Sequence, residues 1–192
     1  MSHVADRFIA VLDANVLYPS LKRDVLLSFA ARGLYRPRWT DAIMGEWTRS
    51  LLASRPDLEA KIPLVVEQMD RAFPEAKIDG YEALIEALTL PDPDDRHVLA
   101  AALKAGAHII VTENKKDFPQ SILSPLDVEI QSADEFLLST FELYPGDAEL
   151  AVKEMRERHK KPPLNAGDLL TKLTGEGLVR LAVALKERID TI

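Results

Sequence analysis

Along the chain, short unbroken apolar runs alternate with stretches in which apolar residues recur every three or four positions, the pattern of an α/β protein. Phe8 to Leu12, closed by Asp13, predicts a buried strand, and His108 to Thr112 predicts a second. Shorter strands are expected at Tyr35 to Trp39 and Val128 to Ile130. Helical spacing predicts Ser20 to Ala31 stopping at Gly33, Asp41 to about Ala53 capped by Thr40, and Pro56 to about Phe73. A capping-box pattern at Asp79 to Glu82 predicts a helix through Leu88, and Asp92 to Ala105 is a further helix ended by Gly106. Ser132 to Glu135 caps a helix to about Leu143. The rest reads as helical, over Asp147 to His159, Asn165 to Leu173 and Leu178 to Ile189, with Lys160-Lys161-Pro162-Pro163 as a joint. The pattern divides the chain into a compact α/β domain over 1–145 and a helical C-terminal extension over 146–192.

Composition narrows the chemistry. A chain of 192 residues is long enough for one sizeable core. It has no cysteine, which excludes a disulfide framework, cysteine-ligated zinc, iron–sulfur clusters and thiol catalysis, and fits a reducing compartment such as the cytoplasm. The N-terminal apolar run follows Asp6 and Arg7 and is too short for a signal peptide or a membrane span, so a soluble protein without a membrane partner is expected. A formal charge of −7 speaks against the basic footprint of an ordinary nucleic-acid binder. The first 130 residues carry 20 acids against 15 bases, so most of the excess lies in the α/β part and its acids need an explanation.

Four acidic places stand at strand ends or beside apolar helix faces. Asp13 follows the first buried run, where the crevice outside the carboxyl ends of parallel strands takes ligands; its plain alternative is a turn or a cap over Asp13-Ala-Asn15. Glu46 borders the apolar stripe next to Trp47, and alone it reads as a surface or salt-bridged residue. In Asp92-Pro-Asp94-Asp95, helix capping accounts for Asp92, whereas Asp95 shares a face with Leu99 and Ala102 and is expected to lie half inside. Thr112, Asn114 and Asp117 follow the second buried strand, with a simple turn as the alternative. Two carboxylates about 5 Å apart at an effective dielectric of about 20 repel by roughly 3 kcal/mol, so a cluster of them needs a counter-charge. With no cysteine and four dispersed histidines (His3, His97, His108, His159), the natural candidate is a hard divalent cation held by oxygen, Mg²⁺ or Mn²⁺, able to activate water and stabilise charge on a phosphoryl oxygen. His97 and His108 read as structural. No Ser–His–Asp order, phosphate-binding GxxxxGK[ST] loop or GxGxxG turn is present.

Taken in order, Leu12-Asp13-Ala-Asn15-Val16-Leu17, Glu46 on the helix after Thr40, Asp92-Pro-Asp94-Asp95-Arg-His-Val98-Leu99-Ala100-Ala101 and Val111-Thr112-Glu-Asn114-Lys-Lys-Asp117-Phe118 resemble the motifs of the PIN-domain nucleases, especially the VapC-type ribonuclease toxins of type II toxin–antitoxin systems. The resemblance spans about residues 7 to 136. It implies a three-layer fold with a central, mainly parallel sheet flanked by helices, and a Mg²⁺- or Mn²⁺-dependent endoribonuclease. Asp13, Glu46, Asp95 and Asp117 would be its catalytic metal ligands, supported by Asn15, Asp94, Thr112 and Asn114. Asp94 and Asp95 are alternatives for the third acid. An aspartate often stands in relatives where Asn114 stands here, so Asn114 and Asp117 are alternatives for the fourth. An antitoxin partner and a homodimer are implied as well.

Grip on RNA is expected from Lys22, Arg23, Arg32, Arg36 and Arg38, five bases against Asp24 between positions 20 and 40, and from Lys115 and Lys116. Tyr35, Trp39 and Trp47 are candidates for base stacking, with core packing as the alternative for both tryptophans. A competing enzyme reading is a haloacid-dehalogenase-like phosphatase, but its second aspartate would fall at Asn15. A third reading is a non-catalytic PIN-like module that binds RNA or protein.

Overall fold

The computed structural model describes residues 8–160 and 162–192; residues 1–7, which include His3, Asp6 and Arg7, and Lys161 lie outside them. The four expected strands form, as β1 (Ile9–Leu12), β2 (Arg36–Arg38), β3 (Ile109–Val111) and β4 (Glu129–Gln131). They make one all-parallel sheet in the order β2-β1-β3-β4, with Val11 paired to Arg38 on one side and Ile110 on the other, and Ile110 paired in turn to Ile130. Burial on both faces explains the unbroken apolar runs: Ala10, Val11, Leu12, Ile110 and Val111 are fully buried. Because β2 lies to one side of β1 while β3 and β4 lie to the other, the strand order reverses between β1 and β3. That is the topological switch point, where a crevice opens at the carboxyl ends of the strands.

The helices are α1 (Ala14–Leu17), α2 (Ser20–Ala31), α3 (Asp41–Ser54), α4 (Ile62–Ala72), α5 (Glu82–Ile85), α6 (Arg96–Ala105), α7 (Gln120–Leu123), α8 (Ala133–Leu143), α9 (Pro145–Arg158), α10 (Ala166–Gly175) and α11 (Val179–Lys186). Several boundaries follow from single side chains. The Thr40 hydroxyl accepts from the Ile43 amide at 3.1 Å and starts α3. Ser132 and Glu135 complete a capping box at α8. Gly106, in the left-handed region at φ +62°, ends α6 and turns the chain toward β3.

Three helix expectations are corrected. Pro56 to Phe73 is not continuous: a single 3₁₀ turn at Pro56–Leu58 precedes α4, because Pro63 has no amide to carry a helix through and fits only its first turn. The capping box at Asp79 to Glu82 does not form. Gly80 at φ +71° turns the chain between Asp79 and the helix, Tyr81 caps without a side-chain bond, and α5 is a single turn instead of reaching Leu88. Likewise, Asp92 to Ala105 opens with a 3₁₀ turn at Pro93–Asp95 before α6.

The chain forms two compact units, one of residues up to 18 with 36–131 and one of 19–35 with 132–192. This partition differs from a cut at residue 145. In the first unit the sheet carries α6 against β1 and β3, and α1 lies against α3. In the second, α2 packs on α9 and α8, and α11 packs on α8 and α10. The buried Tyr35 hydroxyl donates to the Leu26 carbonyl at 3.0 Å, and its ring meets Phe136 edge-on at 4.8 Å. Arg32 bridges Asp147 and Glu154, and Asp134 of α8 accepts the Arg180 and Leu181 amides at the start of α11.

Candidate functional site

The β1 and β3 ends are joined by a closed set of hydrogen bonds within the first unit. Asp13, 4% exposed, takes the Ala14 amide on one carboxylate oxygen (2.6 Å), so it does start the single-turn α1. Its other oxygen accepts from the Thr112 hydroxyl at 2.6 Å and from the Asn15 amide at 2.7 Å. The fully buried Thr112 hydroxyl also accepts from the Asn15 side chain (2.9 Å) and from the Asn114 backbone (3.1 Å). The Asn15 carbonyl oxygen takes the Glu113 amide at 3.0 Å. Asn15 is therefore committed to holding two loops together, which removes the position that a phosphatase of the haloacid type needs for its second acid.

A few residues away, Asp92, Asp95 and Asp117 each present a carboxylate oxygen within 4.8 Å of the others. The 3₁₀ turn at Pro93–Asp95 brings Asp92 and Asp95 to one side, and a second 3₁₀ turn at Lys115–Asp117 delivers Asp117. The Asn114 side-chain amide donates to Asp95 at 3.1 Å, linking this group to the Thr112 hub. Asp94 is exposed and gives only its backbone amide to Asp92 (2.9 Å), so of the two alternatives it is Asp95 that enters the cluster. Asn114 and Asp117 both take part, in different ways.

Electrostatics ties these groups together. Burial pushes the Asp13 carboxyl above its ordinary range against the pull of the Thr112 and Ala14 hydrogen bonds, and the Glu46 charge adds to the rise. Asp95 is pushed up to about 6, first by burial and then by the charges of Asp13, Asp92 and Asp117. Two acids whose pKa values are raised by burial and by neighbouring carboxylates form a group short of positive charge, and an all-oxygen donor set suits a hard divalent cation. Asp92, Asp95 and Asp117 are the residues that fit such an ion.

Glu46 is not within that 4.8 Å group. It sits on α3 and meets His97 of α6, Nε2 to Oε1 at 2.9 Å. Burial disfavours charge on His97, yet the hydrogen bond and charge of Glu46, with Asp13 and Asp95 behind, raise its pKa above the ordinary value. Sequence reasoning assigned Asp92 to capping alone and His97 to structure. The signals that were available are the three-residue spacing of Asp92 and Asp95 around one turn, and the position of His97 two residues after Asp95 at the same helix start.

Among the bases, Lys22 and Arg23 are buried at 7% and 9% exposure and form no open basic face, which corrects that expectation; long basic side chains readily bury their stems. Arg32 is spent on acids of α9. Arg36 is exposed and Arg38 is half-buried with a guanidinium N–H on the Pro37 carbonyl; by register Arg38 lies level with Val11, at the carboxyl edge of the sheet. Lys115 and Lys116 are exposed beside Asp117, with the Lys116 ammonium 4.0 Å from it. Tyr35, Trp39 and Trp47 are each about 1% exposed, so none offers a stacking face.

Residues 10–116 match the family model described as the PIN domain, and residues 133–187 match the model described as the VapC50 C-terminal domain. Over 103 residues the chain is 37% identical to "Putative ribonuclease VapC50" of Mycobacterium tuberculosis, across 54% of this chain and 60% of that protein. The matched stretch thus spans less than two thirds of the relative's own length. No solved structure matches. Among the described residues no helix is long and apolar enough to cross a membrane. The parallel sheet with acids gathered at its switch point and the match over more than half of its length agree: this chain belongs to the PIN-domain family.

Proposed function

We propose that the protein is a Mg²⁺- or Mn²⁺-dependent endoribonuclease that hydrolyses RNA phosphodiester bonds. The observation that carries this reading is the convergence of Asp92, Asp95 and Asp117 beside the buried Asp13 at the carboxyl edge of the sheet. In this reading Asp95 and Asp117, with Asp92, hold the cation, and Asp13 and Glu46 complete its surroundings. When bound, the cation supplies a Lewis acid for the phosphoryl oxygen and lowers the pKa of water. Thr112 and Asn15 fix the Asp13 carboxylate, and Asn114 fixes Asp95, so the acids do not have to reorganise when substrate arrives. Lys115 and Lys116 offset the acids for an incoming phosphate, and Arg36 and Arg38 extend that grip along β2.

The match to the relative named "Putative ribonuclease VapC50", together with the match of residues 133–187 to the VapC50 C-terminal domain model, supports a further step: the protein acts in the cytoplasm as the toxin of a type II toxin–antitoxin pair, as a homodimer and with a cognate antitoxin protein. The test is to incubate the purified protein with a broad pool of structured and unstructured RNAs in Mn²⁺ or Mg²⁺ and to map new ends. Cleavage by wild type, lost in EDTA and in Asp95→Asn, is expected. An intact pool under every metal condition sinks the reading, and so does cleavage that EDTA leaves unchanged.

A further inference from the structure

We propose that His97 is the positioning residue that holds the Glu46 carboxylate toward the acidic cleft, an inference that rests on the metal-dependent function proposed above. Glu46 lies on α3 with 38% of its side chain exposed, and its charge repels the buried Asp13 carboxylate. A glutamate in that position gains rotamer freedom and relief from repulsion by swinging out to water. His97 opposes both. Its Nε2 lies 2.9 Å from Glu46 Oε1, and its side chain is only 13% exposed, so the donor is fixed by the packing around the ring. The imidazole Nδ1 is buried and has no hydrogen-bond partner among the described residues, which leaves the contact with Glu46 as the ring's hydrogen bond at this site.

The placement of His97 makes the contact specific. It follows Asp95 by two residues at the start of α6, so the turn that presents Asp95 to its cluster also presents the Nε2 hydrogen to Glu46. A single hydrogen bond thereby sets α3 and α6 in a common register at the cleft. Hydrogen-bond partners that orient the groups around a metal site commonly govern metal affinity or activity by 10- to 100-fold when removed.

The test compares two variants in the full-length, metal-free protein. His97→Gln keeps an N–H donor near the reach of Nε2, and His97→Met keeps comparable bulk without a donor. Mn²⁺ binding is read by electron paramagnetic resonance of the free ion, with thermal midpoints measured alongside. His97→Met is expected to weaken Mn²⁺ binding about tenfold, by the orienting role just described, while His97→Gln stays within about threefold of wild type. In a Glu46→Gln background, His97→Met should add no further loss. The positioning role is overturned if His97→Met binds Mn²⁺ like wild type, if His97→Gln does not restore binding, or if the loss is the same without the Glu46 carboxylate. As a measurement that needs no variant at His97, ¹⁵N-resolved spectra of the wild-type ring should show the Nε2 hydrogen with a shift that changes in Glu46→Gln; an unchanged shift overturns the role as well. Absence of Mn²⁺ binding by wild type is a different result, which removes the metal reading itself and this inference with it.

Discussion

Asp95 shows how one residue carries both the cost and the use of the site. Its folded pKa, about 6, stands above the ordinary 3.8, so between those values the folded chain keeps a proton that the unfolded chain releases. Stability of the metal-free protein therefore falls as pH rises through that window, and above about 6 the full penalty is present. Asp95→Asn removes the penalty and keeps an oxygen for Asn114. The variant should be about as stable as wild type at pH 4 and about 1–2 kcal/mol more stable at pH 7, a figure discounted for the solvent around a half-buried group. Denaturant midpoints of both proteins across pH check this; a difference that does not grow with pH means the acids are structurally paired. Thr112 works in the opposite direction. Its hydroxyl serves Asp13, Asn15 and Asn114 at once in a fully buried place, so Thr112→Val should destabilise by about 2–3 kcal/mol, with Thr112→Ser recovering most of it. Asp13 was legible from the sequence because it closes an apolar run. The hub was not, since Asp13 and Thr112 are 99 residues apart and only the pairing of β1 with β3 brings them together.

At the scale of elements, α3 and α6 present the chemistry, and their glycines answer differently to substitution. Gly106 ends α6 at φ +62°, where an added Cβ meets nothing within 4 Å. Gly106→Ala therefore adds backbone strain without a clash, and about 1 kcal/mol of stability should be lost. Gly45 lies inside α3 beside Glu46, and a Cβ there meets only the tip of the exposed Arg49 side chain, which can move. Gly45→Ala should raise stability by about 0.5–1 kcal/mol. Opposite signs in the two denaturation curves check the pair. Helix starts at Thr40, Ser132 and Asn165 were readable because a cap is a contact within four residues. The expected cap at Asp79 failed because Gly80 adopts a conformation that the local letters permit but do not require.

For the whole molecule, the proposed metal site would give part of the acidic excess a use, since Asp92, Asp95 and Asp117 present oxygens within 4.8 Å of one another. A cation that binds the folded cluster and not the unfolded chain stabilises by mass action, by about 2.7 kcal/mol at a hundredfold excess over its dissociation constant. Mn²⁺ should therefore raise the thermal midpoint of wild type by several degrees and leave that of Asp95→Asn nearly unchanged, as calorimetry would register. An equal rise in both proteins would place the ion elsewhere. The sequence by itself determined the four strands, most helix boundaries and the set of acids from which the site is drawn. These depend on burial periodicity and on capping, which act between near neighbours in the chain. Only the tertiary structure decided that Asp92 joins Asp95 and Asp117, that Glu46 turns to His97, and that Lys22 and Arg23 are buried instead of lining an open basic face. It also decided that residues 19–35 cluster with the C-terminal helices. Each of those outcomes depends on which distant segments meet, and a carboxylate acquires its pKa, its partner and its use from the charges and donors that folding places beside it.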